Sequence, residues 1–314
     1  IYPFSRGAHV HYLDRPPTAA ALMPALAAVR PTVIASVPLI MEKIYRAKVR
    51  PTFEKNALLR KLYSWDWSRK ILHKVAGKQL KKLFGGRMRL FAIGGAKFDP
   101  EAERFLLEAG FPYGIGYGLT ETAPLIAGAV GNMVRLESTG PALPAVQIRL
   151  DNVNPATGQG EIVAKTPCCM SGYYKNEEAT SAAFTADGWM RTGDLGLLDK
   201  KGNIFIKGRS KNMILSANGQ NIYPEEIEAA VNNQPYVIES VVIDRGARLV
   251  ALVYTDSEKM KADAVDIEEF KKNLMLEVNR SMPAYSKVAR YKIFDEEFEK
   301  TPKRSIKRYL YQPK

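Results

Sequence analysis

Cysteine is nearly missing from this sequence. Its 314 residues hold two, Cys168 and Cys169, side by side. Adjacent cysteines supply neither a disulfide framework nor metal-ligand spacing, and they fit a reducing compartment, the cytoplasm by default. Histidine is almost as scarce. His9, His11 and His73 form no HExxH or other ligand spacing, and no nucleophile elbow occurs, so zinc hydrolysis and Ser-His-Asp chemistry lack support. No apolar run approaches the roughly 20 residues of a membrane span, which argues against an integral membrane protein. A Walker-type GxxxxGK(S/T) loop does not occur, nor does any Ser/Thr/Gly-rich loop ending in Pro-Lys-Gly. The chain opens on Ile1 without an initiator Met or a signal peptide, and reads as a piece cut from a longer protein.

Acidic residues are scarce in one segment. Between Lys43 and Arg89, fifteen Lys and Arg stand against Glu54 and Asp66 alone, an excess equal to the +13 net charge of the whole chain. Leu58, Leu62, Trp65, Leu72, Val75, Leu80 and Leu83 fall near helical spacing there, which predicts one or two amphipathic helices with a basic face. Such a face is either solvated surface packed on the main domain or a surface that attracts anionic headgroups or phosphate-bearing ligands. With Trp65 and Trp67 in it, weak contact of 43–89 with a membrane surface is one expectation, at the inner face of the membrane. No recognised nucleic-acid motif accompanies the charge, so nucleic acid is not an expected partner.

What is present is globular: 46% hydrophobic and 25% charged residues in a length that suits two or three domains. The fold class expected is α/β. Residues 1–135 alternate short apolar runs with helical patterns, as a partial parallel α/β sheet does, with strands at 32–37 and 88–93 and a helix from Asp99 to Ala109 ended by Gly110. Residues 136–207 change to short strands at 145–150, 160–164, 193–198 and 204–206, a small antiparallel sheet or barrel-like subdomain. Residues 208–314 read as a mobile α+β C-terminal domain. A helix opens there at Tyr223-Pro224-Glu225-Glu226, a hairpin turns around 245–247, and a second helix runs over 267–280.

The densest motif is Tyr117-Gly118-Leu119-Thr120-Glu121-Thr122-Ala123-Pro124. An aromatic face can cover a base, glycine lets backbone come close, a hydroxyl can bond a phosphate oxygen, and a carboxylate can hold a divalent cation. The Gly94-Gly95-Ala96 turn falls where a strand hands over to a helix, at the edge where open α/β sheets bind ligands. Further anchors follow: Val37-Pro38 to Tyr45, Gly160-Glu161-Ile162 with Met170-Ser171-Gly172-Tyr173, Gly188 to Asp194, Gly208-Arg209-Ser210-Lys211, and Asn218 to Glu228. In this order and spacing they resemble an AMP-forming acyl-CoA synthetase of the adenylate-forming superfamily, over essentially the whole chain. The helical insert 43–89 makes the long-chain fatty acid CoA ligases the nearest branch.

That resemblance implies a ligase that joins a fatty acid to ATP as acyl-adenylate and then transfers it to coenzyme A. It implies that Gly95, Ala96 and Lys97 supply backbone along the adenine and acyl channel. Gly116, Tyr117 and Gly118 would approach the nucleotide, with Tyr117 stacked on the base. Thr120 would bond the α-phosphate, and Glu121 would ligate Mg²⁺. Asp194 would accept hydrogen bonds from the ribose hydroxyls of ATP or AMP, with Arg209 nearby. Lys211 would be the pivot of the C-terminal domain, and Gly219 would line the pantetheine tunnel. On the residues alone, Asp194 is equally a turn carboxylate, Arg209 a surface arginine and Gly219 a turn glycine.

Two departures qualify it. The family's phosphate loop is not among these residues, so the chain alone is expected not to make acyl-adenylate and to expose apolar surface that a second copy could cover. The family's C-terminal catalytic lysine, counted back from Arg308, falls on Ser305. Lys303 and Lys307 flank it as candidates to stabilise the oxyanions of adenylation, and both are equally surface lysines. An acyl-AMP ligase delivering to a carrier-protein thiol and a non-catalytic nucleotide-binding module are the alternatives.

Overall fold

Alternating buried and part-exposed residues set the first strands, and the capping chemistry between them sets the helices. The computed structural model describes residues 2–14, 19–216, 218–246, 248–294, 296–301 and 306–312. The chain divides into two compact units, one of residues 1–148, 164–190 and 198–205, the other of residues 149–163, 191–197 and 206–314.

In the first unit, β1 (Val33–Ser36), β2 (Leu90–Gly94), β3 (Tyr113–Gly118) and β4 (Leu125–Val130) form one sheet in that order. The first three are parallel, as the pattern predicted, and β4 adds an antiparallel edge. Phe91 and Ile93 of β2 point to the buried side. The helix Pro100–Ala109 returns the chain from β2 to β3. Asp99 caps it, its Oδ1 accepting from the backbone N–H of Glu101 at 3.0 Å and of Ala102 at 2.9 Å, and Pro100 fills the first turn. Gly110 closes it in the left-handed conformation. Phe105 and Leu106 on this helix are fully buried, each contributing about 2 kcal/mol of transfer free energy. Glu103 shares their face at 1% exposure. It accepts from the Glu137 N–H at 2.8 Å and the Tyr113 hydroxyl at 3.4 Å, and burial pushes its carboxyl up to about 7.

The basic segment is more broken than one or two helices. Helix Pro38–Ile44 runs into a π-helical turn, Tyr45–Val49, then Arg50–Glu54, Ala57–Tyr63 and the long helix Asp66–Leu83. Pro51 has no N–H to give and crowds the carbonyl four residues back, which explains a widened turn just before it. Asn56 starts the next helix by accepting from the Leu59 N–H at 2.8 Å. His73, on the long helix, is buried. Its Nδ1 lies 2.9 Å from Glu108 and its Nε2 3.1 Å from the Tyr63 hydroxyl, while Arg69 grips Glu108 with two nitrogens. Burial lowers the His73 pKa.

β5 (Gln147–Asp151), β6 (Gly160–Lys165), β7 (Met190–Leu198) and β8 (Ile204–Arg209) form a second four-stranded sheet in sequence order. This sheet is open, and none of the sheets closes into a barrel.

After the short pair β9 (Ile214–Leu215) and β10 (Asn221–Ile222), the second unit builds a three-stranded sheet. β11 (Val237–Asp244) and β12 (Leu249–Thr255) are the antiparallel hairpin, and β13 (Val288–Phe294) lies parallel to β12. Helices Pro224–Asn232 and Ile267–Ser281 supply Ile227, Val231, Leu274 and Val278 to the core beside Ala251 and Val253. Glu228 is buried there. It accepts from the Val242 N–H at 2.6 Å and pairs with Arg308, and burial pushes it up to about 7.

Candidate functional site

The residues singled out by the sequence fall into two clusters, one in each unit. In the first unit, Gly94 pairs with Gly116 across the parallel strands β2 and β3. The turn Gly95–Ala96–Lys97 therefore leaves the sheet beside the end of β3, at the carboxyl edge where such sheets take ligands. Gly95 sits at φ 88°. Tyr117 is buried at the end of β3, with a single turn of 3₁₀ helix, Thr120–Thr122, after it.

That turn is aimed by its third member. Thr122 is buried, accepts from the Leu119 N–H at 3.1 Å and donates to the Pro124 carbonyl at 2.7 Å. Holding both flanks, it leaves Thr120 exposed and Glu121 half-buried. Gly118 makes the tight return possible: a Cβ there would stand 1.7 Å from the Pro124 carbonyl oxygen. Glu121 is also oriented. Its backbone carbonyl accepts from the Met170 N–H at 2.8 Å, and its Oε1 accepts from the Tyr173 hydroxyl at 3.0 Å. Desolvation and that hydrogen bond both raise the phenol's pKa. Tyr173 also lines an open recess of 530 Å³ with Tyr174, Glu177 and Thr180.

A cation at Glu121 fits the donor chemistry. The carboxylate keeps a second oxygen beyond its Tyr173 bond, and Thr120 adds a hydroxyl next to it. Both are hard oxygen donors of the kind Mg²⁺ takes, and that ion commonly needs only one or two carboxylates beside substrate phosphates. Among the described residues no group of three or more His, Cys, Asp or Glu is placed to hold a metal by itself.

The second cluster is built on β7 and β8. Thr192 donates to the Ile162 carbonyl at 2.7 Å and accepts from the Asp194 N–H at 3.1 Å, which fixes the direction of the strand. Asp194 is buried, and its Oδ1 lies 2.8 Å from Arg209 Nε, the arginine being half-exposed. The Ser210 N–H and hydroxyl both reach the Gly193 carbonyl, at 2.9 and 3.2 Å, and clip the two strands together. Lys211 follows, exposed, in a turn closed by the Asn212 N–H on the Arg209 carbonyl at 3.0 Å. Gly219 lies in an exposed loop at φ 76°. The helix after it starts at Pro224, with Glu225 held by Asn212 at 2.7 Å and Glu226 by Lys207 at 3.2 Å.

Of the two lysine candidates, Lys307 pairs with Glu299 at 3.1 Å, and that hydrogen bond raises its pKa. Lys303, like Ser305, lies outside the described residues. The sequence reading passed over Lys300, which is held between Glu239 at 2.5 Å and Glu297. Thr122, Thr192 and Tyr173 were also passed over as site residues. Tyr173 had a signal, since it closes the Met170–Tyr173 motif. The two threonines also lie within quoted motifs, Thr122 in Tyr117–Pro124 and Thr192 in Gly188–Asp194, but nothing in the sequence separates them from their neighbours until their hydrogen bonds are known.

Residues 1–174 match the family described as AMP-binding enzyme, and residues 211–312 match the AMP-binding enzyme C-terminal domain. A long-chain-fatty-acid–CoA ligase of Mycobacterium bovis is 31% identical over 262 residues, which is 76% of this chain and 42% of that protein. The peroxisomal long chain acyl-CoA synthetase 6 of Arabidopsis thaliana is 30% identical over 264 residues, 77% of this chain and 38% of the relative. The solved o-succinylbenzoate CoA synthetase of Bacillus subtilis, in complex with its acyl-adenylate intermediate, shares the fold. It has a TM-score of 0.70 and 22% identity, covering 94% of this chain and 53% of that one. The matched stretch thus spans less than half the length of these two curated relatives.

Proposed function

The chain belongs to the AMP-binding enzyme family, and we propose that it serves an AMP-forming ligase that joins a long-chain fatty acid to coenzyme A. The observation that carries this reading is the turn after β3, where buried Tyr117, exposed Thr120 and half-buried Glu121 are set by Thr122 and Gly118. Relatives named as long-chain fatty acid ligases support the acyl class.

In the first half-reaction a carboxylate oxygen attacks the α-phosphorus of ATP. The bond to pyrophosphate breaks, and pyrophosphate leaves with the electron pair. Tyr117 offers its ring to the adenine, Gly95, Ala96, Lys97, Gly116 and Gly118 let backbone approach, and Thr120 donates to the α-phosphate. Glu121 would hold Mg²⁺, which supplies charge neutralisation on the phosphates. Asp194 takes the ribose hydroxyls, exchanging part of its bond to Arg209 for them. Lys303 or Lys307 stabilises the oxyanions from the C-terminal domain, and Lys307 must leave Glu299 to do so.

In the second half-reaction the coenzyme A sulfur attacks the acyl carbonyl, its proton passes to solvent, and AMP departs. Gly219 lets the pantetheine pass, and the backbone at Lys211 absorbs the change of pose between half-reactions. Two adjacent cysteines support a cytoplasmic setting.

The test is ATP–pyrophosphate exchange with a C16 fatty acid. It is run on this chain and on a polypeptide joining it to a family phosphate loop. Exchange by the joined polypeptide, lowered on the order of 10²-fold by Glu121→Gln, is the expected result. Exchange with benzoate or succinylbenzoate but not palmitate would overturn the long-chain assignment. Acyl-CoA formed with no carrier protein present would decide for coenzyme A over a carrier thiol. No exchange with any acid would leave a nucleotide-binding module.

A further inference from the structure

The helix Asp66–Leu83 has two faces of unlike chemistry. Its inner face buries Ser68, His73, Gly77 and Leu80. The outer face carries Trp67, Ile71 and Val75, four residues apart and each more than half exposed, so they form one stripe facing solvent. Lys70, Lys74, Lys78 and Lys82, again four apart, are exposed in a parallel row along one side of that stripe, with Lys81 exposed beyond them, and after Asp66 the helix has no acidic residue. Trp65, also exposed, stacks on Trp67 with ring centroids 6.4 Å apart and extends the stripe at the helix start. An 18-residue helix is about 27 Å long, so the apolar row and its lysines make an elongated strip rather than a spot.

We propose that this outer face is a docking surface for an anionic lipid bilayer, on which the helix lies flat with Trp67, Ile71 and Val75 in the headgroup layer. The occupant follows from the composition. Surfaces that meet protein are depleted of lysine at their centre, whereas helices that lie in a membrane interface pair tryptophan and aliphatic residues with lysines along their flanks. Lysine stems can lie along the apolar row while their ammonium groups reach lipid phosphates. No helix among the described residues is long and apolar enough to cross a membrane, so contact there is parallel to the surface. None of this face's residues is among those assigned to the ligase chemistry, and the inference does not rest on the ligase reading.

The experiment is co-sedimentation of the chain with phosphatidylcholine vesicles containing about 30% phosphatidylserine, with tryptophan emission recorded in parallel. Binding at low salt, a blue-shifted emission and release at about 0.5 M salt are expected. Reversing Lys74, Lys78 and Lys82 to Glu should weaken binding roughly tenfold or more, since each lysine contributes separately. Reversing Lys200, Lys201 and Lys261, exposed elsewhere, should change it by less than about twofold. Trp65→Ser and Trp67→Ser together with Ile71→Ser should remove the blue shift while far-UV circular dichroism stays unchanged. No binding to anionic vesicles at low salt would overturn the proposal, as would equal losses in the two lysine sets. So would self-association that Trp67→Ser abolishes without any lipid binding, because a second copy would then cover the face.

Discussion

In the first unit, Thr120 and Glu121 are aimed by steric fit: a glycine under a carbonyl, a buried hydroxyl holding both flanks of a turn, and a phenol against the carboxylate. In the second, Asp194 is aimed by its neighbour's hydroxyl and held by an opposite charge 2.8 Å away. The difference sets what each cluster tolerates. Steric fit is indifferent to salt and intolerant of added atoms. A charge pair with one exposed partner tolerates added atoms and yields to screening.

The largest effect expected is from Gly118→Ala. Its Cβ would fall 1.7 Å from the Pro124 oxygen and 2.7 Å from the Pro124 carbonyl carbon, so the turn has to open, at a cost of roughly 4 kcal/mol. The same change at Gly219 meets nothing within 4 Å and pays only for its φ of 76°, about 1 kcal/mol. Urea unfolding of both variants separates the cases, and equal losses would sink the contrast.

Next in size is a pH effect in the first unit. Glu103 has an ordinary carboxyl value of 4.5 when unfolded and about 7 when folded, raised mainly by burial. Below pH 4.5 it is protonated in both states. As pH rises from there to about 7 the unfolded form releases its proton first, so stability falls across that window, by on the order of 2–3 kcal/mol. Glu103→Gln should flatten that part of the stability profile. Glu228 in the second unit has the same folded value but faces Arg308, so its substitution by Gln takes away that arginine's carboxylate, leaving it the Val242 carbonyl, and lowers stability at neutral pH instead. A profile unchanged by Glu103→Gln would show that this carboxyl does not titrate in the window.

How much of this was legible depended on whether the signal was local. The helix Pro100–Ala109 could be read from Asp99, Pro100 and Gly110, and the hairpin of β11 and β12 from two β-rich runs around a glycine turn. The broken course of 43–89 was in principle legible too, because Pro51 and Asn56 are breaking and capping residues. The basic and apolar spacing outweighed them in the reading. β4 was not foreseen as an edge strand, since its partner β3 is the glycine-rich motif itself and its pairing is set by a close approach at Gly118. Of the candidate site, the residue types and their strand-end positions were visible. The supports were not: Thr122, Thr192 and Tyr173 act through hydrogen bonds to groups whose proximity only folding creates.

A smaller effect is expected at Arg209. Arg209→Gln removes the ion pair that Arg209 makes with buried Asp194. Because the guanidinium is half-exposed and water replaces part of the interaction, the loss is about 1 kcal/mol, and it shrinks in high salt. Urea titrations of the two proteins at low and high ionic strength check it. A loss that salt does not reduce would mean that packing rather than charge holds Asp194.

The smallest effect on stability, and the sharpest on function, is expected at Thr120. Its side chain is exposed, so Thr120→Ala should change stability by no more than about 0.5 kcal/mol. If the hydroxyl donates to a phosphate, a hydrogen bond to a charged group is lost, and AMP affinity should fall roughly tenfold or more. Thr122→Val reverses the pattern: it strips the buried hydroxyl that aims the turn, so stability and affinity fall together. Calorimetric titration with AMP alongside thermal unfolding reads both quantities. A Thr120→Ala variant that loses stability in step with affinity would make Thr120 a structural member of the turn. One that loses neither would remove the hydroxyl from the phosphate contact and leave Tyr117 and Glu121 to carry it.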